Sequence, residues 1–445
     1  MFLFRGLLSL VISTHFDPDE WWQNLEPAFN MVTGEGKLTW EWSAGLRSYY
    51  PVLLHVPMFF VLNALNIHSP TLVIRISMIV QSFVVAGIDL LVYKISCSFY
   101  RTKPSYIALF INVTNWFVQY AAVRPSINTV ESFFVLLCIY YIKSDRFEAA
   151  CMATAFILWT RVTSAFFLIP FWIPFCFDVK NAILVVRNLI IFALGEFFMH
   201  GRIIFPALNI LMFNATGAND FGLNSVHFYF SQAIFIISGL FSPFVVVTLI
   251  KNPKKLWKIA FPMIVFSFIG HKEFRWIFPC AFLLCFVIAT VLERYWLSNW
   301  FKYVAVTIVI FSFVSFVFFA RFHQEGRLQV VRFVHEQCAS QVDECRVAIV
   351  ESLHHFPGPA VIHSHVPIKY YGTTFITETE DIRRDPIRYV MMWMEESKDS
   401  INVFIFNSRV EDKVVPYVEQ LGYGCYEFEN SFVDEEEEFV YACYR

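Results

Sequence analysis

Long apolar runs follow one another along the first 320 residues of this chain and constrain its fold more than any other feature. A helix needs roughly 20 apolar residues to cross a bilayer, so such runs predict membrane spans. Of the 445 residues, 57% are hydrophobic and 16% are charged. We therefore predict an α-helical polytopic membrane protein. Its twelve candidate segments are 1–13, 52–66, 71–96, 104–122, 127–142, 147–163, 165–177, 182–200, 229–250, 257–270, 275–292 and 301–320.

The positive charges of the short loops predict the orientation, because cytosolic loops carry the excess of Lys and Arg. With those loops cytosolic, the run 52–66 becomes a lumenal juxtamembrane helix, and about 11 crossings remain. The N-terminus is then cytosolic and the tail lumenal, and 147–177 forms a hairpin that turns near 161–164. The first segment lacks a cleavage site and is expected to be a retained anchor. The charges that define the cytosolic loops are Arg101, Lys103, Lys143, Arg146, Lys180, Lys251, Lys254, Lys255, Lys258, Arg294 and Lys302.

The loop 15–50 is a polar island between apolar segments. Its four tryptophans lie among the charged residues Asp17, Asp19, Glu20, Glu26, Glu35, Glu41 and Arg47. Carboxylates beside tryptophans suit a site that holds a sugar by ring stacking and activates one of its hydroxyls. The alternative is an interfacial loop whose aromatic residues form an ordinary membrane belt.

Four further polar clusters are expected on the same lumenal face: 124–131 (RPSINTVE), 161–164 (RVTS), 201–232 and 271–275 (HKEFR). Ionisable residues at membrane depth are costly, so their gathering on one side indicates a functional site. In HKEFR, Lys272 and Arg275 suit the binding of a phosphate, and Glu273 can hold one of them in place. For each cluster the alternative is a solvated loop or a snorkelling charge at a helix end, and for RVTS that alternative is favoured.

The tail 321–445 alternates strand-like runs with helical stretches and is expected to form a small lumenal α/β domain. The predicted strands are VAIVES, PAVIHSH, INVFIFN and EFVYACYR, and the predicted helices are 386–398 and 411–421. Its four cysteines permit two disulfides, with Cys338–Cys345 and Cys425–Cys443 as candidate pairs. The acidic run 434–438 is expected to be a solvated face.

Two sequons and a group of histidines are the places where the sequence could carry a modification or a metal ion. Asn214 lies in a predicted lumenal loop and is a candidate for glycosylation, whereas Asn112 falls within a predicted span. The histidines at 354, 355, 363 and 365 lie in a stretch punctuated by Pro and Gly, and we expect no metal site there.

The motifs PDEWWQNLEPAFNMVTGEGKLTWEW, LRSYYP, HFYFSQ (227–232) and HKEFRWIFP (271–279) resemble the dolichyl-phosphate-mannose-dependent mannosyltransferases of glycosyltransferase family 22, most closely the GPI mannosyltransferase III type. The resemblance covers nearly all of the membrane part and implies a GT-C fold over 1–320, followed by the C-terminal domain 321–445. It implies an inverting α-1,2 mannosyl transfer from dolichyl phosphate mannose to a GPI precursor bearing two mannoses. It further implies the endoplasmic reticulum membrane, a lumenal active site, no cofactor and no metal.

The resemblance also suggests roles for individual residues. Asp19 and Glu20 match the family's Asp-Glu pair; we expect Asp19 to be the base with Glu20 in support, and Asp17 remains a competitor. The donor phosphate is assigned to Arg124, His271, Lys272 and Arg275. The acceptor is assigned to Gln23, Trp40, Glu41, Trp42, Arg47, His227, Tyr229 and Gln232. The chain departs from the family in having Arg-Val-Thr at 161–163 in place of Arg-Pro-Thr, and its tail, which lacks the closing His-Trp-Asp type of motif, is assigned no catalysis.

Other functions remain open at this stage. A sister mannosyltransferase would act on the fourth GPI mannose or on the lipid-linked N-glycan precursor. A lipid transporter or scramblase should show paired broken helices in two related halves, and no such repeat is visible. A non-catalytic membrane subunit would explain the topology but not the acidic loop together with HKEFR. A formal charge of −3 gives no basic surface for nucleic acid, and protein partners are left unknown.

Overall fold

In the computed structural model, the chain is mostly helical and ends in a small mixed sheet. The structure describes residues 1–99, 102–175, 178–216, 223–251, 253–352, 356, 358–373, 379–398, 400–429 and 439–445. Arg101, His354, His355 and the acidic run 434–438 lie outside the described residues. What the sequence predicts for them therefore stays a prediction.

Contacts within the chain divide it into two units. The first comprises Met1–Leu8, Gly45–Pro51 and Gln81–Phe316, and the second comprises Ser9–Ala44, Val52–Val80 and Val317–Arg445. The second unit therefore groups most of the first polar loop with the tail. The division into domains 1–320 and 321–445 remains a prediction.

The helices follow the apolar runs along the chain. Short 3-10 or π-helical turns adjoin several of them, at Trp21–Leu25, Val52–Leu54, Val162–Ser164, Ile173–Phe175, Tyr229–Ala233, Gly239–Phe241 and Phe274–Ile277. The α-helices are α1 Phe2–Val11, α2 Glu26–Thr33, α3 Trp40–Ser43, α4 Val56–Ala64, α5 Pro70–Phe99, α6 Thr102–Thr114, α7 Trp116–Ala121, α8 Ile127–Lys143, α9 Phe147–Thr160, α10 Ala165–Trp172, α11 Val179–His200, α12 Pro206–Thr216, α13 Ile234–Ser238, α14 Ser242–Lys251, α15 Pro253–Ser267, α16 Phe278–Leu292, α17 Asn299–Arg321, α18 Gly326–Ala339, α19 Pro359–Ile362, α20 Thr379–Arg384, α21 Pro386–Glu396 and α22 Glu411–Gln420.

Several of these helices have the length and composition of membrane spans. Among the described residues, five segments are long and apolar enough to cross a bilayer: Pro70–Ser98, Val179–His200, Tyr229–Lys251, Phe274–Leu292 and Asn299–Ala339. Shorter apolar helices include Phe2–Val11, Val52–Ala64 and Phe147–Thr160. The prediction of a polytopic helical protein is confirmed, whereas the number of about 11 crossings stays a prediction.

A buried ion pair lies inside the first unit. The Arg5 side chain donates to both carboxylate oxygens of Asp89, at 3.1 and 2.7 Å, and both residues are fully buried. The side-chain amide of Asn112 donates to the same carboxylate at 2.6 Å. Asn112, the first residue of a sequon, is thus buried among polar partners, as expected for a site that no glycosylating enzyme reaches.

The C-terminal sheet has the order β2-β1-β3-β5-β4, with strands β1 Cys345–Ser352, β2 Ile368–Thr373, β3 Val403–Asn407, β4 Gly424–Glu429 and β5 Phe439–Tyr444. β1 pairs in parallel with β2 and β3, while β5 pairs antiparallel with β3 and β4. Every residue of the central strand β3 is buried, because helices and neighbouring side chains cover it; Phe404 and Phe406 belong to the same apolar core as Val390 and Trp393 of α21. The predicted small α/β domain is therefore present as a mixed sheet with helices.

One predicted strand was wrong and two strands were missed. PAVIHSH does not form a strand: Pro359 starts the short helix α19, and His363 ends it with a positive φ of 48°. A proline at the first helical turn is favourable because its missing N–H would have no intrahelical partner. β2 and β4 were not predicted, whereas both expected disulfides, Cys338–Cys345 and Cys425–Cys443, are formed.

Candidate active site

The acidic turn of the first loop is held by two hydrogen bonds between side chains and backbone. The Asp19 N–H donates to Asp17 Oδ1 at 2.9 Å, and the Asp17 N–H donates to Glu20 Oε1 at 3.2 Å. An acidic or hydroxyl residue paired in this way with a Glu three positions later is a capping box, which satisfies orphan N–H groups at a helix start. Asp17 and Glu20 therefore have a structural task here, and Asp19 lies between them in the first turn.

The tryptophans of the loop divide into buried and partly exposed ones. The Trp42 indole N–H donates to Trp22 O at 3.1 Å, and both rings are buried. Gln23, on the same π-helical turn as Trp22, is buried as well. Trp40 and Glu41 are partly exposed. Of the acceptor candidates in the second unit, these two therefore have more exposed surface to offer a ligand than Gln23 and Trp42.

The HKEFR cluster lies in the first unit and centres on one carboxylate. Arg275 donates to Glu273 through Nε and, at 2.9 Å, through Nη2, while His271 Nε2 lies 3.1 Å from Glu273 Oε1. Burial alone would raise the pKa of the Glu273 carboxyl, but Arg275 and His271 outweigh it and hold that pKa well below its usual range. Glu273 is therefore an anion that fixes the Arg275 guanidinium, as the sequence predicted.

Lys272 points to backbone oxygens in the same cluster. Its ammonium donates to Asn224 O at 2.7 Å and lies 3.4 Å from Gly270 O, and its side chain is buried. The Asn224 side-chain amide in turn donates to Lys272 O at 2.7 Å. These bonds join the 201–232 cluster to HKEFR and give Lys272 a structural contact in addition to its predicted phosphate role.

The N-terminus of α8 connects two further clusters. The Asn128 side-chain amide donates to Arg275 O at 3.0 Å. One turn later on the same helix, the buried Glu131 carboxylate accepts from Ser164 Oγ and lies 3.0 Å from Arg161 Nε. Residues three apart on a helix share a face, so RPSINTVE contacts both HKEFR and RVTS from one side of α8. Four of the five polar clusters expected from the sequence are thus joined within the first unit.

The remaining donor and acceptor candidates of the first unit differ in exposure. The fully buried Arg124 guanidinium stacks on the Tyr120 ring, 4.4 Å from its centroid. His227 is exposed, with Nδ1 2.8 Å from Ser231 Oγ, and Gln232 is exposed too. Tyr229 is fully buried. Tyr229 therefore packs in the interior, whereas His227 and Gln232 are accessible.

Glu196 is a polar centre that the sequence analysis missed. Its buried carboxylate accepts from Ser48 Oγ at 2.5 Å, from the Tyr49 N–H at 2.8 Å and from Trp159 Nε1 at 3.0 Å. It thereby fixes the LRSYYP motif, in which Arg47 is partly exposed. The signal was present in the sequence, because a lone acidic residue in an apolar run such as 182–200 is costly unless it has partners.

Two solved structures share the fold of this chain. ArnT from Cupriavidus metallidurans bound to undecaprenyl phosphate matches with a TM-score of 0.66 at 9% identity, over 99% of this chain and 96% of ArnT. The archaeal oligosaccharyltransferase AglB from Archaeoglobus fulgidus matches with a TM-score of 0.51 at 11% identity, over 98% and 74%. At such identities the likeness shows the fold alone, and that fold is of the GT-C type found in membrane glycosyltransferases.

The sequence narrows this class further. A model of the Alg9-like mannosyltransferase family matches residues 1–363, and the chain belongs to that family. It is a multi-pass membrane glycosyltransferase of the mannosyltransferase type.

The relatives with curated names point to one branch of the family. GPI alpha-1,2-mannosyltransferase 3 of Homo sapiens is 27% identical over 82% of this chain and 69% of its own length. GPI mannosyltransferase 3 of Schizosaccharomyces pombe is 26% identical over 84% and 82%. Mannosyltransferase APTG1 of Arabidopsis thaliana is 29% identical over 62% and 54%, so the chain spans about half the length of that relative.

Proposed function

We propose that this protein transfers the third mannose of the GPI anchor from dolichyl phosphate mannose to a precursor that bears two mannoses, forming an α-1,2 linkage. The observation that carries the proposal is the match to GPI mannosyltransferases 3 over more than four fifths of the chain. The same relatives support a location in the endoplasmic reticulum membrane, with the lipids of donor and acceptor against the spans and the sugars at the lumenal face.

Asp19 is the proposed general base. Inversion needs one group to take the proton from the acceptor 2-hydroxyl while its oxygen bonds to the anomeric carbon. Asp19 matches the Asp of the family's Asp-Glu pair, and the capping box gives Asp17 and Glu20 a structural task, since each accepts a backbone N–H at the helix start. Glu20 is then a supporting carboxylate.

Arg275 is the proposed partner of the leaving phosphate. When the bond between the anomeric carbon and the phosphate oxygen breaks, negative charge develops on dolichyl phosphate, and a preorganised guanidinium stabilises it. The bidentate contact with Glu273 supports this role, since it holds the planar guanidinium in one orientation. His271, on the same carboxylate, and Arg124 are proposed to assist, with Lys272 supporting the cluster. A β-linked donor would give the α product.

The acceptor is proposed to be held by the accessible residues among the candidates. Trp40 and Glu41 in the first loop suit sugar stacking and hydroxyl binding, because both are partly exposed. Arg47, His227 and Gln232 have the exposure needed to meet polar headgroup atoms.

The test is mannose transfer in microsomes from cells blocked at the two-mannose GPI stage and supplied with this chain. With labelled dolichyl phosphate mannose, we expect a three-mannose GPI lipid whose new mannose is removed by an α-1,2-mannosidase. A matched chain with Asp19→Asn should leave the two-mannose lipid unchanged.

Other outcomes in the same microsomes would indicate one of the alternative functions. Labelled four-mannose GPI or a labelled lipid-linked N-glycan precursor would replace the proposal by a sister mannosyltransferase. Movement of the lipid between leaflets without any mannose transfer would indicate a transporter or scramblase.

A further inference from the structure

Glu26 is a buried carboxylate that the proposed chemistry does not use. Its Oε1 accepts the Lys37 N–H at 2.7 Å, and its Oε2 accepts the Ala360 N–H at 2.9 Å. Its side chain is fully buried, and burial raises the pKa of this carboxyl to about 7 although the two backbone N–H groups oppose that rise. One carboxylate thus joins the first loop to Ala360 of the tail, and both residues lie within the second unit.

Two glycines make room for this carboxylate. A Cβ atom added to Gly358 would lie 2.5 Å from Glu26 Oε2, and one added to Gly36 would lie 2.6 Å from Glu26 Oε1. Such distances are well inside normal contact, so either side chain would push the carboxylate away. Gly358 has a φ of −80°, which any residue adopts. Glycine is therefore required at position 358 because a side chain would collide with Glu26, and not because of the backbone conformation there.

A second bond joins the same two segments. The Trp22 indole N–H donates to Phe356 O at 2.9 Å, and the Trp22 ring is fully buried. A Cβ at Gly358 would lie 3.0 Å from Trp22 Cη2 as well. Trp22 lies on the π-helical turn Trp21–Leu25 that leads directly into α2, so both bonds hold one continuous helix.

The proposed base, Asp19, lies at the start of this helix. Asp19 and Glu20 immediately precede Trp21, and the Asn24 side-chain amide reaches back to Asp19 O at 3.3 Å. A shift of the helix would therefore move Asp19. The match to the Alg9-like family runs to residue 363 and includes 356–362, although the last long apolar run ends near residue 320.

We propose that Phe356 and residues 358–362 are a strut for the active site: through Glu26 and Trp22 they fix the helix that presents Asp19, and Glu26 is a positioning residue for mannosyl transfer. This inference rests on the proposed function and gives the tail a task in it. A base must lie within hydrogen-bond reach of the proton it takes, and a displacement of about 1 Å can cost roughly 10²-fold in rate.

The test compares two glycine substitutions. Gly358→Ala places a methyl group against Glu26, whereas Gly424→Ala, in β4 of the same unit, meets open space and serves as the control. Mannose transfer is measured in microsomes at matched protein levels, as kcat and as KM for dolichyl phosphate mannose. We expect Gly358→Ala to lower kcat about 10- to 100-fold with KM changed less than about twofold, and Gly424→Ala to behave as wild type.

A double variant distinguishes positioning from general damage. Gly358→Ala and Glu26→Gln disturb the same contact, so the double variant should lose no more kcat than the more affected single variant. If Gly358→Ala fails to accumulate, Glu26→Gln is used instead. Its amide can accept only one of the two N–H groups, and we expect the same loss in kcat. Normal kcat in Gly358→Ala or Glu26→Gln, or an effect on KM alone, would overturn the strut.

A second readout keeps this inference separate from the proposed function. Trypsin cleaves after Lys37, whose own N–H is bound to Glu26. In detergent-solubilised protein, Gly358→Ala should be cleaved there several times faster than wild type, and Gly424→Ala at the wild-type rate. If wild type transfers no mannose, the proposed function fails, and this cleavage alone decides whether Phe356 and 358–362 fix the loop. Equal rates in all three proteins would reject the strut.

Discussion

At the scale of single residues, two of the three neighbouring acids in the first loop have a structural task, and the third, Asp19, is the proposed base. Asp17 and Glu20 close a capping box with the backbone, and both amides and carboxylates can serve in such a box. Proton transfer, in contrast, needs a carboxylate. Substitution of acid by amide therefore separates a structural acid from a catalytic one at these positions.

We expect Asp19→Asn to lower mannose transfer by about 10²- to 10⁴-fold, because the amide cannot accept the proton near neutral pH. Glu20→Gln should lose less, and Asp17→Asn should be the mildest, since Asn is also a good N-cap. The measurement is transfer to a two-mannose GPI acceptor in microsomes at matched protein levels. If Asp17→Asn is inactive and Asp19→Asn has normal activity, the base is Asp17 and not Asp19.

Arg275→Ala should weaken transfer at limiting dolichyl phosphate mannose by about 10- to 100-fold, because a charge-assisted hydrogen bond contributes about 1.5 to 3 kcal/mol. Lys272→Ala should also weaken transfer, and in addition it should lower the unfolding temperature, since its ammonium bonds two backbone carbonyls. The measurements are initial rates at several donor concentrations and thermal unfolding. Normal donor dependence in Arg275→Ala would make HKEFR a structural cluster.

Glu26 predicts a pH dependence of stability. The pKa of this carboxyl is about 7 in the folded protein and 4.5 ordinarily, so between these pH values the folded state binds more protons than the unfolded state. Stability should therefore fall by on the order of 3 kcal/mol as pH rises from about 4.5 to about 7, and then level off. Burial and then the charge of Glu26 raise the pKa of the neighbouring Tyr370 well above its usual range, so Tyr370 does not titrate in this window.

Thermal unfolding in detergent at pH 5, 6, 7 and 8 checks this dependence. The unfolding temperature of wild type should fall from pH 5 to 7 more steeply than that of Glu26→Gln, which cannot titrate. Parallel curves for the two proteins would contradict the assignment of the raised pKa to Glu26.

At the scale of elements, buried polar contacts decide which helices lie together. α1 and α5 are joined inside the first unit by Arg5 and Asp89, and Asn112 of α6 completes the group. Removing one member of a buried ion pair leaves an uncompensated charge, whereas replacing both by apolar residues of similar size is often neutral. The pair thus reports on specific helix packing.

Arg5→Ala and Asp89→Ala should each destabilise the protein by about 3 to 5 kcal/mol, because each leaves a buried charge without its partner. The double variant Arg5→Met/Asp89→Leu should recover most of the loss. Unfolding temperatures in detergent and the amount of protein in the membrane measure both effects. Additive losses in the double variant would show that the two side chains do not act as a pair.

Local sequence patterns predicted most helices and strands well, but they did not predict which distant residues contact each other. The apolar runs located the long helices, and a helix does end at Thr160, close to the predicted turn at 161–164. β4 was missed because its residues GCYEFE are mostly exposed and only the last four of them alternate apolar with acidic side chains, which is a short signal for a strand. The bonds of Glu131 to Ser164, of Glu196 to Ser48 and of Glu26 to Ala360 join residues 33, 148 and 334 positions apart. Such pairings depend on the three-dimensional fold. In the sequence they are visible only as single acidic residues.

At the scale of the whole molecule, motif and fold agree on the class of enzyme. The first-loop and HKEFR motifs predicted a dolichyl-phosphate-mannose-dependent mannosyltransferase, and the match to the Alg9-like family over residues 1–363 confirms the mannosyltransferase family. The direction in which the chain crosses the membrane depends on the charges of short loops and on which helices are long enough to span.

Two segments, 52–66 and 147–177, decide the predicted topology. α4 has nine residues and is about 14 Å long, less than half of the roughly 30 Å hydrocarbon core, so 52–66 is expected to stay on one side. The break after Thr160 separates α9 from α10 near the predicted turn, and the two crossings over 147–177 stay a prediction, because α10 has only eight residues. From both predictions we expect the tail after Arg321 to be lumenal and the segment 251–256 to be cytosolic.

Glycosylation reporters test this topology directly. In an Asn214→Gln background, which removes the native candidate site, a sequon inserted after Arg321 should be modified and one inserted at 251–256 should not. The modification is read as a shift in gel mobility that an endoglycosidase reverses. Because each additional crossing reverses every later loop, the opposite pattern would mean that 52–66 spans the membrane or that 147–177 crosses it once. A shortened variant that lacks 52–64 would then tell these two errors apart, since only the loss of a true span restores the predicted pattern.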